Sequence, residues 1–184
     1  LSASLKTLAP IKAGAFSAKA LQNSTDTWTD YQSRVRRAID ETENAADVMD
    51  RLADIANKSY NTIDTTAEGF LFAASTLKSL GASTNVVLDY TEALNNAMVV
   101  SGAKAERAAR VQDALGKAMA SGKLSGSELN TVIETGGRVA ELLAQELGVS
   151  TLELRKMGKD GKITADVIYN SLTKNLSTLR AEAE

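Results

Sequence analysis

Apolar stripes with helical spacing run through most of this sequence, and each is soon cut short by glycine. Ala46, Met49, Leu52, Ala53, Ile55 and Ala56 form the first clear stripe, with Thr42 as its N-cap. Ala67, Phe70, Leu71, Ala74 and Leu77 form the next, over about 65–80, and Gly81 stops it. Ser83 or Thr84 then caps a helix carrying Val87, Tyr90, Thr91, Leu94, Ala97 and Met98, which ends at Gly102. Ala108, Val111, Leu115 and Met119 mark a helix over about 104–120, ended by Gly122. Gly136–Gly137 divides 126–147 into two helices. A continuous α-helix rises ~1.5 Å per residue, so a chain stopped this often offers no long unbroken rod.

The stops share a wording. "SGKLSGSEL" at 121–129 and "DGKITADVI" at 160–168 each place a lysine, an aliphatic and a hydroxyl residue after a glycine. Ser125 stands three residues before Glu128, and Ser150 three before Glu153 in "GVSTLELRKM", the spacing of a capping box. Thr164 is placed to cap the last helix, with Asp166 in its first turn. Leu124 and Ile163 lie at or next to N′, where an aliphatic staples the new helix. The residues read as a structural helix-capping motif are Ser121, Gly122, Leu124, Ser125 and Glu128, then Gly148, Ser150 and Glu153, then Gly161, Ile163 and Thr164.

The first forty residues are less regular. Leu1, Leu5 and Leu8, with Ile11 beyond Pro10, suggest the end of a helix broken near the proline. Trp28, Tyr31, Val35 and Ile39 have helical spacing, yet "NSTDTWTD" is turn-like, so 23–41 reads as a helix or as a short hairpin or ordered loop. A chain beginning at Leu1 rather than Met is expected to be a piece of a longer protein.

Composition removes most chemistry. The 184 residues include no cysteine and no histidine, so disulfides, thiolate nucleophiles and imidazole bases are excluded. Net charge is −2, against a nucleic-acid-binding face. The cluster Arg34, Arg36 and Arg37 reads as a solvated surface. No apolar run approaches the ~20 residues of a membrane span.

The glycine phrases also fail as calcium loops. With Gly161 at the sixth position, positions one, three and twelve become Lys156, Gly158 and Val167, none with a side-chain oxygen. The earlier copy offers Glu128 at twelve but Lys117 and Met119 at one and three. No GxxxxGK[ST], GxGxxG or GxSxG motif is present. The fold class expected is all-α, a compact or elongated bundle of about six to eight short helices joined by Gly/Ser-capped turns. No catalytic, cofactor-binding or metal residue is assigned, and no cofactor is expected.

The stretch 112–172 resembles the tape-measure domain of tail length tape measure proteins of tailed phages or prophages. That family's pattern contains QA-x-ASGKL-x-G-x-EL, matched by Ala118, Ser121, Gly122, Leu124, Gly126, Glu128 and Leu129. Its later lA-x-x-lGvs and GkiT segments are matched by Leu143, Ala144, Leu147, Gly148, Val149, Ser150, Glu153, Leu154, Gly161, Lys162, Ile163 and Thr164. Upstream, Asp26, Trp28 and Arg34 are similar to the family's opening segment. "LKSLGAS" at 77–83 and "ALNNAMVVSGAK" at 93–104 are similar to its next two segments. Gly136–Gly137 stands where the family usually has proline, and Ala103 where it has a Ser or Thr cap.

The resemblance implies a non-catalytic structural component of phage tail assembly, extended in the tail tube lumen, whose length sets the tube's length. Implied partners are tail tube, baseplate or tail assembly chaperone proteins, with self-association open to exposed apolar stripes. No specific nucleic acid binding and no membrane segment are expected. Implied locations are the virion tail and, during assembly, the bacterial host cytoplasm. The domains expected are 1–22, the end of an upstream helix or a linker; 23–176, the tape-measure helical domain; and 177–184, a helix end leading into a missing downstream region. The alternative is a non-catalytic helical protein–protein interaction domain unrelated to phage tails. A hydrolase such as a peptidoglycan-cleaving domain is disfavoured by the lack of histidine and of clustered acids.

Overall fold

The computed structural model describes residues 18–184, and the leucines and proline of the first seventeen positions lie outside them. The described residues form ten α-helices: α1 Ala18–Ala38, α2 Ala45–Lys58, α3 Ile63–Leu77, α4 Thr84–Val100, α5 Ala105–Ser121, α6 Gly126–Thr135, α7 Gly137–Leu147, α8 Leu154–Lys159, α9 Ala165–Thr173 and α10 Leu176–Ala183. A 3₁₀ turn, Thr151–Glu153, leads directly into α8. The all-α class stands, while the expected six to eight helices become ten. α8 and α10 account for the excess, because six- and eight-residue helices are too short to show a periodic stripe.

Within 23–41 the chain is helix as far as Ala38 and then turns; it is not a hairpin. Tyr31, Val35 and Ile39, one turn apart, are buried against α2 and α3, and Trp28 extends the same stripe. Arg34 grips Glu68 of α3 through both guanidinium nitrogens, at 2.7 and 3.0 Å, and lies 5.1 Å from the Tyr31 ring centroid. That contact holds the Glu68 carboxyl below the usual carboxylate range.

Helix α2 begins later than the sequence suggests. Asn44, not Thr42, is its N-cap and accepts from the Ala46 N–H at 3.0 Å. Residues 40–43 are committed to a turn: the Glu43 N–H donates to the Asp40 carbonyl, and the Asp40 N–H donates back to the Glu43 carboxylate at 3.1 Å. The Thr84 hydroxyl also donates to that carboxylate, tying the turn to the start of α4. Helix α3 begins earlier, capped by Thr62, whose hydroxyl accepts from the Thr65 N–H at 3.1 Å. Ser83 caps α4 by accepting from the Val86 N–H at 3.4 Å.

Helix α4 is the centre of the bundle, packed against α2, α3, α5, α7, α9 and α10. Eleven of its seventeen residues are buried, too many for one apolar stripe. Phe70 of α3, Leu52 of α2, Leu115 of α5 and Leu142 of α7 are fully buried in the same core. Each contributes about 2 kcal/mol by leaving water.

The core also contains polar side chains, bonded to one another. The Asn95 amide donates to the hydroxyls of Ser59 at 3.2 Å and Thr66 at 3.0 Å, and its oxygen accepts from Gln112 at 2.8 Å. Asn95 thereby joins the end of α2, the start of α3 and the middle of α5 to α4. Helices α3 and α5 approach closely beside this network: a methyl group on Gly69 would touch Gln112, and one on Gly116 would press on Phe72.

Two bidentate ion pairs fasten α10. Arg180 grips Glu92 of α4 at 2.6 and 2.8 Å, and Arg138 at the start of α7 grips Glu182 at 2.8 and 2.7 Å. Leu179 of α10 is fully buried. The Arg138 N–H donates to the Ser101 hydroxyl at 2.9 Å, so the end of α4 caps the start of α7.

Candidate functional site

The two glycine phrases meet. The Leu124 N–H donates to the Ile163 carbonyl at 2.7 Å, and Lys123 and Thr164 form an isolated antiparallel bridge. Local pattern describes each phrase as a separate helix start and gives no sign that residues 39 positions apart pair. In an antiparallel pair, facing residues share a side. Leu124 and Ile163 both point inward and are fully buried, while Lys123 stays exposed.

The turn after α5 is shaped for this pairing. Gly122 ends the helix with φ +83°. The Ser121 hydroxyl donates to the Ala118 carbonyl at 3.2 Å, helping to satisfy one of the helix's last carbonyls. The chain then runs extended through Lys123 and Leu124 rather than closing back onto α5.

The other stops have a different, shared geometry. After α7 the Gly148 N–H donates to Gln145 and the Val149 N–H to Ala144, at 3.1 and 3.0 Å. After α8 the Gly161 N–H donates to Gly158 and the Lys162 N–H to Met157, at 3.1 and 2.9 Å. Both are Schellman stops, which place the glycine in the left-handed region, here at φ +65° and +68°. Helix α2 ends with the same two bonds, Tyr60 to Asn57 and Asn61 to Ala56, but the left-handed residue is Tyr60, φ +52°. The sequence offers no glycine there, so the stop is invisible to a search for one.

The hydroxyl residues divide. Ser125 and Thr164 occupy the N-cap positions of α6 and α9 without a capping hydrogen bond from the side chain. Glu128 instead accepts from the Ser127 hydroxyl at 3.0 Å. Thr164 precedes α9, and the chain continues into α10. At Ser150 the link to Glu153 is complete: the carboxylate accepts the Ser150 N–H at 2.9 Å and its hydroxyl at 2.8 Å. Those two bonds, the backbone one first, hold the Glu153 carboxyl below its ordinary range.

Two of the three groups of capping residues, 121–128 and 161–164, meet at Gly158, which the sequence reading considers only as a calcium-loop position. Helix α8 lies so close to α6 that a side chain at Gly158 would overlap Leu129 and crowd the Leu124 carbonyl. A glycine inside a helix carries a propensity cost, which is the signal that could have marked it. Among the described residues, no three His, Cys, Asp or Glu side chains are grouped to hold a metal ion. What the assembly does is mechanical: it locks α5–α6 to α8–α9 through one backbone bond and two buried aliphatics.

No curated protein and no solved structure matches the chain. A family model described as tape measure protein matches residues 19–184, from the second residue of α1 to the end of the chain and across every turn described above. By that match, over an all-helical scaffold joined at its glycine turns, the chain belongs to the tape measure protein family.

Proposed function

We propose that residues 23–176 act as a compact, non-catalytic module of phage tail assembly, and that they do not themselves measure length. As a member of the tape measure family, the chain is a structural component of the phage tail and takes part in determining its length. The observation that carries the proposal is the back-folding of the chain. The longest described helix has 21 residues, about 30 Å, and Arg180 near the end of the chain is bonded to Glu92 in the central helix. Length per residue is lost each time a glycine turn reverses the chain.

Tail tube, baseplate or tail assembly chaperone proteins are the proposed partners. The proposed sites of action are the host cytoplasm during assembly and the virion tail afterwards. Among the described residues, no helix is long and apolar enough to cross a membrane.

The test is a phage whose tape measure protein lacks residues 23–176. A module that organises assembly gives no tails, or tails of irregular length. A measuring segment gives regular tails shortened by about 230 Å, at ~1.5 Å per residue, and that result would overturn the proposal.

A further inference from the structure

A cleft of ≈ 690 Å³ lies where α2, α4 and α10 meet, a size ordinary for a small-ligand site. Its walls carry Arg51, Asp54 and Lys58 of α2, Glu92 and Asn96 of α4, and Arg180 of α10, and Tyr60 stands at the α2 end. The cations are already matched: Arg51 to Asp89 at 2.6 Å, Lys58 to Asp54 at 2.7 Å and Arg180 to Glu92 at 2.6 Å. An anion entering the cleft would have to displace a carboxylate, and a cation would have to displace a guanidinium or an ammonium. The charges therefore suit a neutral occupant.

What the cleft leaves unmatched is an amide. Asn96 is only 6% exposed, yet its side chain makes no hydrogen bond among the described residues. Buried amides are ordinarily paired. No side-chain polar atom lacking a partner is sealed from solvent among those residues, so the Asn96 amide opens on the cleft that it lines. It offers a donor and an acceptor side by side, which a hydroxyl or another amide satisfies. Its neighbour Asn95 is fully engaged inside the core, so the bundle's own polar network does not use Asn96.

Tyr60 adds a flat apolar face. Its ring is 88% exposed and its backbone is left-handed, φ +52°, in a stop that glycine makes after α7 and α8. A bulky residue in that conformation costs stability, and packing of so exposed a ring does not repay it. Strain of this kind collects at functional sites. The ring stands at the rim of a cleft that is neutral, polar and short of one hydrogen-bond partner.

We propose that the cleft between α2, α4 and α10 binds a short neutral saccharide. A sugar ring unites the properties this site asks for. Its C–H face covers an aromatic ring, its hydroxyls each donate and accept, and it carries no charge. Hydroxyls can also bond the remaining N–H groups and lone pairs of the ion-paired walls without displacing either partner. A nucleobase could stack on Tyr60 as well, but its other face would lie against charged side chains.

Titration of the 184-residue chain with cellotriose, maltotriose and chitotriose, followed by proton–nitrogen correlation NMR, tests this. At least one should bind with a Kd of about 1 mM, shifting the Asn96 side-chain amide and the backbone amides of residues 57–60. Tyr60→Gly and Asn96→Ala should each weaken that binding by about tenfold or more, and Tyr60→Phe should keep it. The glycine variant is the sharper of the two, because relief of strain should leave it at least as stable as the parent. Melting temperatures establish that each variant is folded. Adenosine and glucose phosphate are the comparison probes. The proposal is overturned by no shift with any of the three saccharides up to about 10 mM, by shifts that avoid Asn96 and residues 57–60, or by undiminished binding to Tyr60→Gly. Tighter binding of adenosine or glucose phosphate than of every neutral saccharide overturns it too.

Discussion

The Leu124 N–H and the Ile163 carbonyl, 2.7 Å apart, form the one backbone bond that ties the turn before α6 to the turn before α9. Both side chains beneath it are fully buried. Leu124→Ala and Ile163→Ala should each destabilise the fold by about 3 kcal/mol, the transfer loss plus an unfilled cavity. The double variant should cost less than the sum, because the two side chains line one space. Urea unfolding of the three variants gives the comparison, and full additivity would mean that the side chains do not share a cavity.

At Tyr60 the same physics predicts a gain. The residue holds a left-handed conformation, φ +52°, in a helix stop that elsewhere uses glycine, and its side chain is 88% exposed. Little packing is lost by removing the ring. Tyr60→Gly should raise stability by about 0.5–1 kcal/mol, the relief of left-handed strain less the added entropy of glycine in the unfolded chain. Tyr60→Ala keeps the strain and should leave stability within about 0.5 kcal/mol of the parent. A shift in thermal midpoint for glycine but not alanine separates strain from packing.

The contrast between these two sites explains what was legible in the sequence. Gly102, Gly148 and Gly161, with Ser83 and Ser150, are local signals read within one helical turn, and the helix boundaries near them follow. Thr42 has the spacing of a cap, but Asn44 takes that role because Glu43 is engaged by Thr84, forty-one residues away. The Leu124–Ile163 bond is likewise long-range, and no helical period encodes it. Tyr60 does the work of a glycine without being one. Gly158 was visible as a letter, but its reason, the Leu129 side chain, exists only once α6 and α8 are packed.

Gly158→Ala should therefore cost about 1–3 kcal/mol although alanine is the better helix former, because Leu129 is 2% exposed and has little room to yield. Gly137, whose added methyl would meet nothing within 4 Å, is the control. Gly137→Ala should be neutral or slightly stabilising. Calorimetric midpoints moving in the same direction for both would refute the packing account.

Asn95 is the side chain whose loss should be felt most widely. Asn95→Ala removes the acceptor of the Gln112 amide and the donor to Ser59 and Thr66, all within the core. Leaving such groups without partners costs about 1–3 kcal/mol each, so the total should exceed that of an ordinary surface change several-fold. Hydrogen exchange should accelerate in α2, α3, α4 and α5 together. Protection lost only in α4 would show that the network does not couple the helices.

The pH dependence follows from the carboxylates. Glu68 and Glu153 have lowered pKa values, the first through Arg34 and the second through Ser150. A carboxyl lowered in the folded state binds its proton more readily once unfolded. Its contribution is therefore fully present above the ordinary carboxylate range and is lost as pH falls through the folded value. With no histidine or cysteine in the chain, no side chain of ordinary pKa titrates between about pH 6 and 8, and stability should be level there before falling in acid. Glu68→Gln should lower stability at neutral pH and make the acid fall shallower, whereas Glu68→Gln with the same acid slope as the parent would assign the loss to other carboxylates. Because Glu68 is part-exposed, its share should shrink in high salt, so urea midpoints taken at two ionic strengths across the acid limb distinguish a screened surface pair from a buried one.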